Sequence, residues 1–272
     1  MFYRTHAPSP WLAPFVQQYL VVGHDDPAGR GLDTWLSPGG YAALSTNVGT
    51  ATSTVDNARF QALRLPSIGY AAGQQTRPFR MHLHAGVHYL HVKFQPDGFF
   101  RLTGIPGRLV LDDHVPLEEL RGIWPTDLIE RLTEAPDDAG RVRLLDDHLL
   151  RRLANRSFRP DATRYALQRI DEGGGTGSIE ELARGLRVSR RHLDRLFNEH
   201  VGVSPKFYAR TVRFNCLSQS LWTPQPSNYQ DLVHRLGFYD QAHLIKEMRF
   251  FTGMNPSLAI QHPRLNEYLL RT

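Results

Sequence analysis

Cysteine is almost missing from this chain. Cys216 stands alone among 272 residues, which excludes an internal disulfide and any thiolate cluster for zinc, and fits a reducing compartment. Cys216 itself reads as a small buried apolar residue. Lysine is nearly as scarce, confined to Lys93, Lys206 and Lys246, so the positive groups are mostly planar guanidinium forks suited to phosphate and guanine. No run of apolar residues approaches the roughly 18 that a membrane span needs. The opening MFYRTHAPSP lacks the charged-then-apolar layout of a signal peptide, and these absences together predict a cytoplasmic protein with no membrane contact. Missing too are a nucleophile triad, a phosphate-binding glycine loop and a carboxylate pair with readable spacing, so the sequence argues against an enzyme and implies no cofactor.

What is present suffices for two modest cores, since domains usually run to roughly 100–200 residues. Up to residue 160 there are 17 basic and 16 acidic residues, and beyond it 15 and 11. The basic second half suggests a polyanionic partner, although a charge of this size decides nothing alone.

From about Phe2 to Leu111 the chain reads as short segments broken by glycine and proline, among them Ser37-Pro38-Gly39-Gly40 and Pro96-Asp97-Gly98. In His88-Tyr89-Leu90-His91-Val92-Lys93-Phe94 the apolar Leu90, Val92 and Phe94 share one strand face. This predicts a mostly β domain, a barrel or a sandwich, over 1–115. Near Leu117 the period changes. Leu128, Leu132, Val142, Leu145, Leu149, Leu150 and Leu153 recur at helical spacing, which predicts two helices split near Ala135-Pro136 in a connector over 116–160. That connector serves equally well as a dimer contact or as packing for its own barrel. A linker follows near Arg156 to Asp161, and a helical domain over 161–272 completes an α+β chain.

The second half carries a faint internal repeat at a 51-residue offset. Leu193 pairs with Leu244, Arg195 with Lys246, Gly202 with Gly253, Ser204 with Asn255 and Pro205 with Pro256. In the first copy, about 178–200, Ser178-Ile-Glu-Glu181 has capping-box form and opens a helix with Ile179, Leu182 and Ala183 inward. Gly185 is expected to make the sharp turn, with Val188 packed beneath it. Ser189 caps a second helix with Leu193, Leu196 and Phe197 buried, and Gly202 ends it in a left-handed conformation. Ser204-Pro205 starts a connecting helix to about Leu221, with proline at its first position. The second copy, about 227–251, repeats the pattern. Ser227-Asn-Tyr-Gln230 again has capping-box form, Leu232, Val233 and Leu236 point inward, Gly237-Phe238 turns, and Asp240 caps a helix that buries Leu244 and Met248. A short helix, a turn and a second helix with outward polar side chains is what reading a major groove requires.

Gly237-Phe-Tyr-Asp-Gln-Ala-His-Leu-Ile-Lys246 followed by Phe-Thr-Gly-Met-Asn-Pro256 closely resembles the signature of the AraC/XylS family. Ser189-Arg-Arg-His-Leu-Asp-Arg-Leu-Phe197 resembles its first recognition helix, and the resemblance covers about 163–262. Departures are Met248 for the usual phenylalanine, Val233 for alanine, and the proline-rich approach Trp222-Thr-Pro-Gln-Pro226.

The resemblance implies a transcription regulator of double-stranded DNA, its two recognition helices entering successive major grooves about 34 Å apart. Arg191, Arg195 and Lys246 are expected to read guanine, at about 1–3 kcal/mol of discrimination per good contact. Gln241, with Ala242 and Ile245 beside it, faces bases. Asp194 either accepts from cytosine or orients Arg190 or Arg191 through a helical ion pair, and orientation is the favoured reading. Arg190, His192, His243 and Arg249 stand where phosphate contacts are expected. The family pattern favours activation through RNA polymerase, with repression by occupancy as the alternative.

Relatives of this kind often carry an N-terminal cupin-like β barrel that takes an effector or a partner. Val92-Lys-Phe-Gln-Pro-Asp-Gly98 and Leu102-Thr-Gly-Ile-Pro106 resemble a segment found in some of them. Trp11, Trp35, Tyr41, Tyr70 and Phe79 are candidates to line an effector pocket, although aromatics in a small barrel are more often its core. His82-Leu-His84, with His88 and His91 following, faintly resembles a cupin metal motif, since histidines two apart share a strand face. No glutamate occupies the third position and Arg101 replaces the later histidine, so ordinary solvated or hydrogen-bonded histidines are favoured. The other reading of this half, a metal-dependent cupin enzyme fused to a DNA-binding module, needs that site filled.

Overall fold

The computed structural model describes residues 1–57, 61–120, 122–156, 161–221 and 229–255. Among these residues the N-terminal part forms ten strands: β1 (Phe2–His6), β2 (Val16–His24), β3 (Leu32–Leu36), β4 (Ala43–Asn47), β5 (Ser53–Asp56), β6 (Leu63–Arg64), β7 (Gly69–Ala72), β8 (Phe79–Leu83), β9 (Val87–Phe94) and β10 (His114–Pro116). They make two antiparallel sheets, one ordered β1-β2-β9-β4-β7-β10 and the other β3-β8-β5-β6. Of the two architectures left open by the strand pattern, the chain therefore takes the sandwich, without a closed barrel.

The larger sheet is covered on both faces, and its residue alternation says why. On β9, Leu90, Val92 and Phe94 turn to one side, where they join Tyr19 and Val21 of β2 and the helices beyond. Tyr89, His91 and Lys93 turn to the other side, together with Leu20 and Val22, and line a space against the smaller sheet. Strand residues alternate strictly between faces, so one strand serves both layers.

The helical covering of the outer face is built as the leucine spacing predicts. Helices α2 (Thr126–Glu134) and α3 (Asp138–Ala154) bury Leu128, Leu132, Leu145 and Leu149 against the sheet. Val142, Leu150 and Leu153 pack against the same core while staying partly exposed. Trp124, 1% exposed, closes this layer and donates its indole N–H to Thr46 Oγ1 at 3.0 Å.

One helix was not anticipated. After β9, where Pro96-Asp97-Gly98 looks like a break, α1 (Gly98–Thr103) forms with Asp97 at its N-cap. A 3-10 turn follows at Gly107–Leu109. Both lie at the junction with the second half.

The C-terminal part contains α4 (Ala162–Glu172), α5 (Ile179–Gly185), α6 (Arg190–His200), α7 (Pro205–Leu221), α8 (Tyr229–Arg235) and α9 (Gln241–Thr252). Two cores flank α7. Ala166, Leu167, Ile170, Ile179, Ala183, Leu193 and Phe197 gather with Tyr208 and Ala209 on one side of it. Phe214, Leu217 and Leu221 gather with Leu232, Val233, Leu236, Leu244, Met248 and Phe251 on the other.

Candidate nucleic-acid interface

Each short helix pair is set by local hydrogen bonds. Ser178 Oγ accepts from the Glu181 N–H at 3.3 Å, and Ser189 Oγ accepts from the His192 N–H at 3.1 Å. Asp240 Oδ1 accepts from the His243 N–H at 2.7 Å, so α5, α6 and α9 start where the capping residues predict. The expected cap at Ser227, the proline-rich approach Trp222–Pro226 and the restart at Pro256 lie outside the described residues.

The turns differ from expectation in one detail. Gly237 adopts the left-handed conformation in the second unit, φ 63°, but in the first unit that role falls to Arg187, φ 55°, and Gly185 belongs to α5. An arginine there carries the steric cost that glycine avoids, two residues later than the sequence pattern suggests.

α6 presents Arg191 and Arg195 exposed, with Arg190, His192 and Asp194 half-buried. The Arg190 guanidinium is clasped by Glu180 of α5 and by Asp194 one turn along, the latter at 3.1 Å. Asp194 thus stands in an ion pair with Arg190, one helical turn away. Arg195 Nη2 donates to His192 Nδ1 at 3.3 Å. α9 presents Gln241, Ala242, Lys246 and Arg249 exposed, with His243 and Ile245 half-buried. Arg249 bonds Asn255 Oδ1.

The two units are locked together through α7. Arg210 grips Glu247 of α9 with two hydrogen bonds of 2.9 and 2.8 Å, and Glu247 is 7% exposed. The same guanidinium lies 4.4 Å from the Phe250 ring centroid. Arg213 donates to the carbonyls of Gly175 and Gly237, at 2.7 and 3.4 Å, tying α7 to the turn of the second unit. Sequence reasoning named neither arginine nor Glu247, because partners 37 residues apart leave no local signature.

The far ends of both presenting helices are docked on the N-terminal half. His200, the last residue of α6, stacks on Phe100 of α1 with ring centroids 4.3 Å apart, and its Nδ1 lies 2.9 Å from Thr163 Oγ1. Burial holds the His200 imidazole below its ordinary value. Beside it, Arg101 bridges Asp97 at 2.9 Å and Asp161 at 2.7 Å. At α9, Arg77 lies over the Phe250 ring at 4.1 Å. Trp35 packs into the second core.

The histidines of the N-terminal half disperse. His82 pairs with Asp33 at 2.8 Å, with His84 beside it, whereas His88 pairs with Asp25 on the other sheet and His91 meets Ser45 Oγ at 2.7 Å. Among the described residues no three metal-type side chains converge, so His82, His84 and His88 do not form the shared site that their spacing offers. Of the five candidate pocket aromatics, Tyr41, Tyr70 and Phe79 line a cavity between the sheets. Trp11 is 77% exposed, and Trp35 is used at the junction. No helix among the described residues is long and apolar enough to cross a membrane.

Residues 182–261 match the family model of a helix-turn-helix domain, and residues 4–116 match that of a domain of unknown function, DUF6597. No curated protein matches the sequence. Among solved structures, the chain is similar to ToxT from Vibrio cholerae, at 12% identity over 99% of this chain and 98% of that one, with a TM-score of 0.47. ToxT bound to (E)-4-(8-methylnaphthalen-1-yl)but-3-enoic acid aligns at 10% identity over 99% of each chain, with a TM-score of 0.47. The AraC-like transcriptional activator CuxR aligns at 18% identity over 78% of this chain and 84% of that one, with a TM-score of 0.26.

Proposed function

We propose that this chain, a transcription regulator whose C-terminal part is an AraC-type helix-turn-helix DNA-binding domain, reads two successive major grooves with the exposed N-terminal halves of α6 and α9. The observation that carries the reading is an asymmetry shared by both helices. Each exposes its fork-bearing or amide side chains early, at Arg191 and Arg195 in one and Gln241 and Lys246 in the other, while one side chain of its last turn, His200 or Phe250, packs against the N-terminal half. Arginine and lysine donate to guanine O6 and N7, and glutamine pairs with adenine. Asp194 and Glu180 hold the Arg190 fork for a phosphate, with His192, His243 and Arg249 as further backbone contacts.

The test is selection of sheared DNA from the protein's own host at about 150 mM salt, where phosphate contacts alone are weakened. Bound fragments are sequenced for the wild type and for Arg191→Ala/Lys246→Ala. Enrichment of sites with two short motifs one helical turn apart, lost in the double variant, is expected. Enrichment that the double variant retains would reject these helices as the readers.

A further inference from the structure

The cavity between the two sheets has a volume of about 100 Å³, and the β9 face that floors it is chemically mixed. Lys93 is 3% exposed and projects among Tyr41, Tyr70, Phe79 and Tyr89. Its Nζ lies 4.0 Å from the Tyr41 ring centroid, and among the described residues no carboxylate or hydrogen-bond acceptor acts on it. Burial alone depresses the ammonium, to about 7. A buried cation without an anion is costly, and here it sits in a space with rings on several sides.

The wall of that space reaches the DNA-binding half. Ser37, Gly39 and Tyr41 line the cavity, while the backbone between them rests on α7. The Gly39 carbonyl accepts from Asn215 Nδ2 at 3.2 Å. Gly40, at φ 84°, lies against Thr211 and Tyr208, where an added Cβ would meet their side chains at 3.4 and 3.5 Å. One stretch of loop therefore separates the cation–π pair from the helix that joins the two reading units.

We propose that this cavity binds a compact aromatic carboxylate, with the carboxylate paired to Lys93 and the ring among Tyr41, Tyr70, Phe79 and Tyr89, and that the loop from Ser37 to Tyr41 passes its occupancy to α7. The ligand supplies the missing anion, and its ring replaces water in the apolar space. Seating a carboxylate beside Lys93 competes with the Tyr41 contact, so the loop that presents Tyr41 to Lys93 and Gly39 to Asn215 is the element that moves. The coupling half of this inference rests on the DNA-reading role proposed above; the binding half does not.

The first measurement is calorimetric titration of the full chain with benzoate, phenylacetate and 3-phenylpropionate, each against its uncharged amide. At least one acid is expected to bind more tightly than its amide by tenfold or more, and Lys93→Met is expected to erase that preference. Lys93→Met removes a buried charge and is expected to fold at least as well as the wild type, which a thermal melt checks. A second measurement needs no variant. The other titratable side chains lining the cavity are Tyr3, Tyr41, Tyr70, Tyr89, His91 and His114; burial holds both histidines down to about 4 and pushes Tyr89 up. Acid binding should therefore weaken as pH rises above about 7, where Lys93 loses its proton. No binding of any acid up to about 1 mM, equal binding of acid and amide, or full binding by Lys93→Met would overturn the site.

Coupling is then read with a DNA fragment selected as above. The bound acid is expected to change DNA affinity by about fivefold or more, and Asn215→Ala to shrink that change while leaving the calorimetry alone. Ligand binding with unaltered DNA affinity would overturn the coupling and leave the site standing. Failure to select any DNA would instead strike the reading role, with the calorimetric result unaffected.

Discussion

Gly107 and Gly202 bring the two halves of the chain into backbone contact: a Cβ on Gly107 would lie 2.6 Å from the Gly202 nitrogen. Gly202 also closes α6 in a left-handed conformation, φ 96°, with its N–H on the Phe197 carbonyl, so its own substitution would mix helix capping with docking. Gly107 is the cleaner probe. Gly107→Val is expected to force the junction apart, destabilising the chain by about 1–3 kcal/mol through overpacking and speeding amide exchange at the end of α6. An unchanged melting temperature together with unchanged exchange over 197–203 would show that the junction is not a held contact.

The charges beside that junction give a second prediction. Asp97 is fully buried, and Arg101, 8% exposed, joins it to Asp161, the N-cap of α4. Arg164 approaches Asp97 only at 3.4 Å. Removing Arg101 leaves a buried carboxylate short of its main partner, so Arg101→Ala should cost about 3–5 kcal/mol in denaturant unfolding. Arg101→Ala/Asp97→Ala should cost less than the single change, because the orphaned charge goes too. A double variant as unstable as the single one would mean that the loss is packing rather than charge.

Acid should weaken the sandwich through His91 and His114. Burial pulls both imidazoles from 6.5 to about 4, and in His114 the ring sits edge-on to Tyr70 and Phe79. The unfolded chain binds these protons and the folded chain refuses them between those values. Their stabilisation is therefore intact above about pH 6.5 and lost as pH falls toward 4, on the order of 3 kcal/mol for each histidine. His114→Phe, which keeps the aromatic packing, should flatten the decline of unfolding free energy over that window. A decline as steep as in the wild type would remove His114 from the explanation.

What the sequence shows of this protein divides by range. Ser178, Ser189 and Asp240 act on backbone three residues away, so their roles are visible in any window that contains them. The leucine spacing of α2 and α3 likewise fixes both helices and the face that they bury. Arg187 shows the limit even at short range: a glycine nearby attracts the turn assignment, while tertiary packing puts the left-handed residue elsewhere. On β9 the alternation separates Leu90, Val92 and Phe94 from Tyr89, His91 and Lys93, but periodicity says that two faces differ, not what covers each. Only the smaller sheet, contributed by strands earlier in the chain, turns the second face into a cavity wall. Gly107 with Gly202 and Arg210 with Glu247 are long-range pairs of ordinary residue types, and no local pattern marks them.

The reading residues give the last prediction, which separates base contact from backbone contact. Arg191 is exposed on α6 and, among the described residues, pairs with no carboxylate, since Glu180 and Asp194 both clasp Arg190, so it is free to enter a groove. Arg191→Ala should relax preference at one base pair, at about 1–3 kcal/mol for the cognate site and little for others. Arg249, exposed near the end of α9 and bonded to Asn255, suits a phosphate. Arg249→Ala should weaken every sequence similarly and reduce the salt dependence of binding by about one counterion. Asp194→Ala is the discriminating third variant. An orienting Asp194 predicts a loss shared by all sequences, through a loosened Arg190, whereas a cytosine-reading Asp194 predicts a change confined to one position. Binding assays over a randomised site at two salt concentrations distinguish the three, and uniform, sequence-independent losses in all of them would leave α6 without a reader.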